Sequence, residues 1–553
     1  MKLKYIGVLG LLVGFIACNE PEDVILEVEG PEMVEVEAPA LTAGNADFSN
    51  YVAVGASFTA GFTDNGLFKA AQENSFPNIL ATQMSLAGGG SFSQPLMSDN
   101  VGGLIAGGQL VLNPVTNDTL FKPRLVFGGE TPVDLKELIG PVTPTTDFVL
   151  NNPTGPFNNL GVPGAKSFHL LAPGFGNLAN FPAAANPYAI RLTSGSPDAS
   201  IIELAVAQSP TFFTLSEIGG NDVLGYATTG GDGTNLITPT ATFDAALGAL
   251  VGALTSGGAK GAITNVPYIT DLPHFTTVPF NALDPNDEDN GPALVAQIPT
   301  LNNVYGALNQ IFEVLDPTRV ILFSETEANG VVIYDETLID LSAQITGALS
   351  ISPAFSIFVQ SLGLPEESVS LVATLMGNAY GQARQANEND LLVLPSSSII
   401  GEVNNFSYQA LLNFNLPPAL AAQFSVDGIT LPLIDKWVLL PSEQAEIKTA
   451  TDAYNSTISS VASSAGLALV DLNSILTTAS TSGIEFDEFN MTTNLVTGGL
   501  VSLDGIHLTA RGYALMANKF LAAIDATYGS NFIAAGAVAK AYDFPTNYSP
   551  TLQ

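Results

Sequence analysis

Four short stretches of this chain bring together residue types that perform nucleophilic catalysis. Val54–Gly61 (V-G-A-S-F-T-A-G) sets Ser57 directly after an apolar run, between Gly55 and Gly61, on a tight turn into a helix. A hydroxyl so placed stands at the carboxyl end of a strand, where α/β sheets put their sites. A serine that merely caps a helix has the same pattern. Asn159–Ala165 (N-L-G-V-P-G-A) offers Gly164, whose N–H can approach a developing oxyanion with no Cβ in the way. Taken alone, that stretch reads as a turn. Ile218–Asp222 (I-G-G-N-D) offers the Asn221 side-chain amide as a further oxyanion donor, or else as a helix N-cap. Asp504–Tyr513 (D-G-I-H-L-T-A-R-G-Y) sets Asp504 and His507 three residues apart around Gly505. On one loop the carboxylate can hold the imidazole Nδ1–H and leave Nε2 as a base. A lone histidine is more often a packed core residue; the aspartate, the glycine and a helix capped by Thr509 argue for the base.

These groups need a scaffold that presents strand ends side by side. Tyr51–Gly55, Phe212–Ile218, Ala262–Val266 and Leu467–Leu472 are short apolar runs closed by turn residues and read as buried strands. Phe243, Leu247, Leu250, Val251 and Leu254 fall on one helical face, as do Ile447, Ala450, Tyr454, Ile458 and Val461, with Ser442 as the expected N-cap. A last helix runs from Thr509 to about Tyr528 and stops at Gly529. This alternation predicts an α/β fold with a mostly parallel sheet covered on both faces. Two stretches interrupt it. Residues 85–150 are rich in Gly, Pro, Asn and Thr, with strand-like Gln109–Leu112 and Arg124–Phe127. Residues 275–440 separate two strand–helix units. Within them Leu341–Pro365 carries no charge, which predicts buried cap helices or a lid over an apolar substrate.

In order and in local context, Ser57, Gly164, Asn221 and His507 resemble the four blocks of the SGNH/GDSL hydrolase family. The resemblance spans about residues 48–270 and 440–530 and includes Ala262–Pro267 (A-I-T-N-V-P) and the Asp504–His507 spacing. It implies a three-layer α/β/α sandwich with a flavodoxin-like sheet and metal-free ester hydrolysis. It also implies a Ser57–Asp504–His507 triad, with oxyanion donors at the Ser57 N–H, the Gly164 N–H and the Asn221 side chain. One departure is plain: the usual G-D-S of the first block is G-A-S here, with Ala56 in place of the aspartate. A base that must be neutral predicts activity rising with pH through about 6–7. Acyl lipids, small esters and acetylated glycans all fit the chemistry. The uncharged 341–365 stretch favours acyl chains. A cell-surface binding lipoprotein on a weakly active scaffold of the same class is the alternative, although it has no need of an intact triad.

Composition excludes other classes. Of 553 residues, 46% are hydrophobic and 12% charged, so the chain is not disordered. Lys and Arg total 16 against 52 Asp and Glu, a formal net charge of −36, which leaves little to bind nucleic-acid phosphates. With one cysteine no thiolate cluster can be built, three histidines argue against a multi-histidine metal site, and no cofactor is implied. Residues 1–17 read as a signal peptide: Lys2 and Lys4, an apolar Tyr5–Ala17 too short to span a bilayer, then Cys18. This resembles a bacterial lipoprotein signal in which Cys18 is lipidated, so the membrane partner is reached only through that lipid. Residues 18–47 read as an acidic, proline-containing tether, and the acidic residues after Cys18 resemble the surface-export signal of Bacteroidota lipoproteins. The hydrolase domain is expected over 48–530 and a tail over 531–553. Elsewhere, Asp284–Asn290 reads as a solvated loop, His274 as a surface residue with a substrate-rim role as the alternative, and His169 as structural. Trp437 is expected to pack beneath the 275–440 insertion.

Overall fold

Tyr51–Gly55 is buried at every position, as a strand covered on both faces must be, and forms an interior strand of the sheet (β1). The computed structural model describes residues 38–114 and 116–552; the signal segment, Cys18 and the tether through residue 37 lie outside them. Asn159–Gly161 (β2), Phe212–Ser216 (β3), Lys260–Thr264 (β4) and Ala468–Val470 (β5) complete a five-stranded sheet in the order β5-β4-β3-β1-β2. Every pairing is parallel. The order 2-1-3-4-5 is one of the common doubly wound arrangements, with its switch point between β1 and β3.

Right-handed crossovers then dictate the layers. The β1-to-β2 connection runs leftward and carries Phe76–Ser85 across one face, where it packs on Ala510–Tyr528, with Phe76 stacked on Phe520 at 4.9 Å. The rightward connections put Ile201–Val206, Thr240–Thr255 and Pro441–Ala465 together on the other face. The amphipathic positions read from the sequence face the core: Phe243, Leu247, Leu250, Val251 and Leu254 are buried in one helix and Ile447, Tyr454 and Ile458 in another, where Ala450 and Val461 are half-buried. Thr509 caps the last helix through Gly512 N–H at 2.9 Å, and Gly529 ends it. Ser442 is not the cap of Pro441–Ala465. The Glu443 carboxylate accepts the Leu440 N–H instead, at 2.6 Å, because Pro441 takes the first helical position and moves the boundary back by two residues.

The sheet is flanked by segments the sequence placed differently. Residues 40–47 belong to the packed unit: Thr42 N–H bonds Asn531 Oδ1 and Asn45 N–H bonds the Tyr528 carbonyl. Residues 531–552 pack too. Phe532 is fully buried, and the buried Arg124 guanidinium bonds the carbonyls of Ser549 and Leu552, so the 85–150 insertion and the C-terminal segment hold each other. The 275–440 insertion builds its own hydrophobic core around Tyr305, Phe312, Ile333, Leu349 and Phe355. The uncharged 341–365 run forms helices Ser342–Ser350 and Pro353–Ser361, bent by 84°, whose Ile345, Leu349, Phe355 and Val359 enter that core. Among the described residues no single helix is long and apolar enough to cross a membrane. Trp437 packs between the two cores.

Candidate active site

The first turn after β1 is tightly enclosed. A Cβ on Gly55 would lie 2.1 Å from Thr59 Oγ1 and 2.7 Å from the Ser216 carbonyl, so only glycine lets the chain fold back here. Ser57 opens the short helix Ser57–Ala60 at the carboxyl end of the sheet and is 7% exposed. Neighbouring strands hold the turn. Asn159, at the start of β2, donates its side-chain amide to the Thr59 carbonyl at 2.8 Å. Glu217, just past β3, accepts the Phe58 N–H at 2.7 Å.

His507 and Asp504 share one loop as their spacing predicts. His507 Nδ1 lies 2.8 Å from Asp504 Oδ2, which leaves Nε2 as the nitrogen available for a proton. Asp504 Oδ1 accepts the N–H groups of Ile506 (2.9 Å) and His507 (2.8 Å) and the Ser502 hydroxyl (3.0 Å). Oδ2 also accepts the Asn65 N–H at 2.8 Å. Burial works against the charge, but His507 and these N–H groups outweigh it and hold Asp504 well below the usual carboxylate range. Asn65 comes from the Thr63–Gly66 turn, in which Asp64 and Asn65 both have positive φ (52° and 59°). The D-N-G within this turn is its sequence signal. Phe58 and Phe62 lie against the imidazole, with ring centroids 5.9 and 4.7 Å away.

Asn221 stands in the first turn of Gly220–Thr228, and Gly219 before it has φ 104°. A Cβ on Gly219 would lie 2.7 Å from Val266 Cγ2 and 3.0 Å from Phe243 Cε2. Gly219→Ala is therefore expected to destabilise the protein by about 1–3 kcal/mol, read as a lower urea midpoint. Asn221 Nδ2 bonds the Ala165 carbonyl at 3.0 Å, and the Asp222 carboxylate accepts the Ser167 N–H and hydroxyl at 2.9 and 2.8 Å. These bonds clamp the loop after β2 to the helix start. Gly164 lies in that loop with φ 78°, exposed.

Ser57, Asn221 and His507 line one cavity of about 90 Å³, with Asp504 behind the imidazole. Gly164 does not line it. The rest of the wall is apolar: Leu224, Val266, Ile269, Leu272, Leu476 and Met516 are among its members, and Lys519 is its one cation. No residue of 275–440 belongs to the lining. The insertion reaches the Asp504–His507 loop, where Leu394 lies beside Gly505.

Sequence reasoning missed Glu217, which also lines the cavity. Its charge was hidden at the end of an apolar strand. Reading His274 as a surface residue also fails: it is 7% exposed, both ring nitrogens lack partners, and burial pushes it down to about 4. His169 accepts the Lys166 N–H and stacks on Phe175. Asp284–Asn290 is largely exposed, as a solvated loop should be. Away from the cavity, carboxylate oxygens of Glu336, Asp435 and Glu443 lie within 4.8 Å of one another. Burial first, and mutual repulsion next, push Asp435 up to about 7 and Glu443 up to about 8. No family model matches the chain, and no curated protein or solved structure matches it at a significant level.

Proposed function

We propose that this chain is a serine ester hydrolase of the SGNH/GDSL class, with Ser57 as nucleophile, His507 as base and Asp504 as its orienting carboxylate. The observation that carries the reading is the Asp504–His507 pair at 2.8 Å opening onto the same cavity as Ser57. His507 Nε2 takes the Ser57 proton as Oγ attacks the ester carbonyl, and Asp504 stabilises the imidazolium. The Ser57 N–H and the Asn221 amide are the oxyanion donors, each worth about 3–4 kcal/mol to the transition state. Gly164 is a donor only if its loop moves inward on substrate binding. The strand order supports the flavodoxin-like sandwich of that class. Export with a lipid on Cys18 accords with the N-terminal sequence.

The apolar lining favours esters of fatty acyl chains over acetylated glycans. At about 10–15 Å³ per water-sized site, 90 Å³ holds about six to nine small groups, enough for a short or medium acyl chain. Hydrolysis of p-nitrophenyl esters from acetyl to palmitoyl tests this, together with phosphonate labelling located by mass spectrometry. The expected result is a maximum near butyryl to octanoyl and a label on Ser57. No turnover on any ester, or a label elsewhere, returns the binding-lipoprotein alternative. Leu476→Trp fills part of the cavity. Since each buried methylene is worth about 0.8 kcal/mol, kcat/KM for the octanoyl ester should fall about tenfold or more. The acetyl ester should change far less.

A further inference from the structure

Glu217 is an acid in a place that disfavours charge. It sits past the end of β3 with φ 51°, its N–H fixed by Thr264 Oγ1 at 2.8 Å. Its side chain crosses to the turn of the neighbouring strand, where Oε2 accepts the Phe58 N–H. Ser57, the residue before Phe58, lines the same cavity as Glu217. Oε1 is buried without a hydrogen-bond partner. Among the described residues no lysine, arginine or histidine forms an ion pair with Glu217. Burial raises its affinity for a proton well above that of an ordinary glutamate, and neighbouring donors, the Phe58 N–H first, only partly offset this.

The consequence for Ser57 follows from hydrogen-bond capacity. A serine oxygen has one proton to donate and two lone pairs. An ionised carboxylate beside it can only accept, and so turns the serine proton toward itself and away from His507. A carboxylic acid can donate to the serine oxygen and leave the serine proton free for the base. We infer that Glu217 is a positioning residue for the nucleophile: its carboxyl O–H donates to Ser57 Oγ and directs the Ser57 proton to His507. This rests on the reading of Ser57 as nucleophile. Glu217 thereby gives the enzyme an upper pH limit: activity is present while Glu217 holds its proton and falls as the pH rises through its ionisation. The other titratable groups nearby are His507 and Asp504 on the loop before the last helix, Asp64, which burial pushes up to about 7, in the turn packed on that loop, and Tyr513 and Lys519 on the Ala510–Tyr528 helix. Of these, Tyr513 is raised by its own burial first and by Glu217 next.

The test is the pH dependence of ester turnover, and of Ser57 labelling by a fluorophosphonate, from pH 5 to 10. It compares the full chain with Glu217→Gln and Glu217→Met. The wild type is expected to lose activity and labelling rate together at alkaline pH while its circular dichroism is unchanged. Glu217→Gln keeps a donor that cannot ionise. It should lose a few-fold in kcat but stay level through the alkaline range. Glu217→Met has no donor, and kcat should fall about 100-fold with little change in KM. A wild-type labelling rate that stays level to pH 10, or a Gln variant with the same alkaline fall, overturns the inference. If neither variant folds, a wild-type rate that stays level to pH 10 still overturns the inference. Ester turnover that survives Ser57→Ala instead overturns the ester-hydrolase reading itself.

Discussion

Ser57→Ala is expected to lower kcat for ester hydrolysis by about 10⁴-fold or more while leaving KM within a few-fold of wild type. In the proposed mechanism the Ser57 hydroxyl forms the acyl-enzyme, and without it the imidazole has only water to activate. Binding should survive because the walls are apolar side chains from the segment after β4 (Val266, Ile269 and Leu272), the Leu472–Thr481 helix and the last helix, which do not depend on the Ser57 hydroxyl. Folding should survive as well. Ser57 is held by backbone bonds around the turn, and its side chain is small. The measurement is steady-state hydrolysis of a butyryl ester beside a fluorescent fatty-acid binding assay. Lost turnover with retained binding identifies the nucleophile. Equal turnover in both proteins removes Ser57 from the chemistry.

Much of this site is legible in the chain because its parts are local. The Asp504–His507 pair needs only a three-residue spacing with Gly505 between, and the structure closes it at 2.8 Å. β1 and β3 show as continuous apolar runs because both faces of a parallel sheet are covered. What stays hidden depends on contacts distant in sequence. β2 is three residues long and begins with an asparagine, so no periodicity marks it; only its register with Ala53–Gly55 makes it a strand. Glu217 reads as the polar end of a strand until β3 is laid beside β1. The charge-free 341–365 stretch suggested a lid because it lacks charge, yet an insertion with its own core also needs uncharged helices. Composition alone does not separate the two.

Asp504→Asn is the second large effect, expected to lower kcat by about 10⁴-fold through the wrong histidine tautomer. In the wild type Oδ2 accepts from both His507 Nδ1 and the Asn65 N–H, while Oδ1 takes the Ile506 and His507 N–H groups and the Ser502 hydroxyl. Five donors converge on two oxygens. An asparagine has one oxygen, and the loop amides and Ser502 claim it, so its NH₂ faces His507 Nδ1. The imidazole must then accept at Nδ1 and carry its proton on Nε2, where it cannot take one from Ser57. The same replacement changes stability with a definite sign. Because Asp504 is held below its ordinary value in the folded state, it stabilises the fold above the unfolded value of about 3.9. That contribution is lost as the pH falls through the folded-state value. Urea midpoints of wild type and variant should therefore differ most at neutral pH, by the equivalent of about 3 kcal/mol, and converge as both are taken toward strong acid. A difference that persists at low pH would mean that Asp504 acts through packing and not through its charge. In that case the 10⁴-fold loss would come from a displaced loop, and the Ser57 labelling rate at saturating phosphonate would fall without any change in its pH profile.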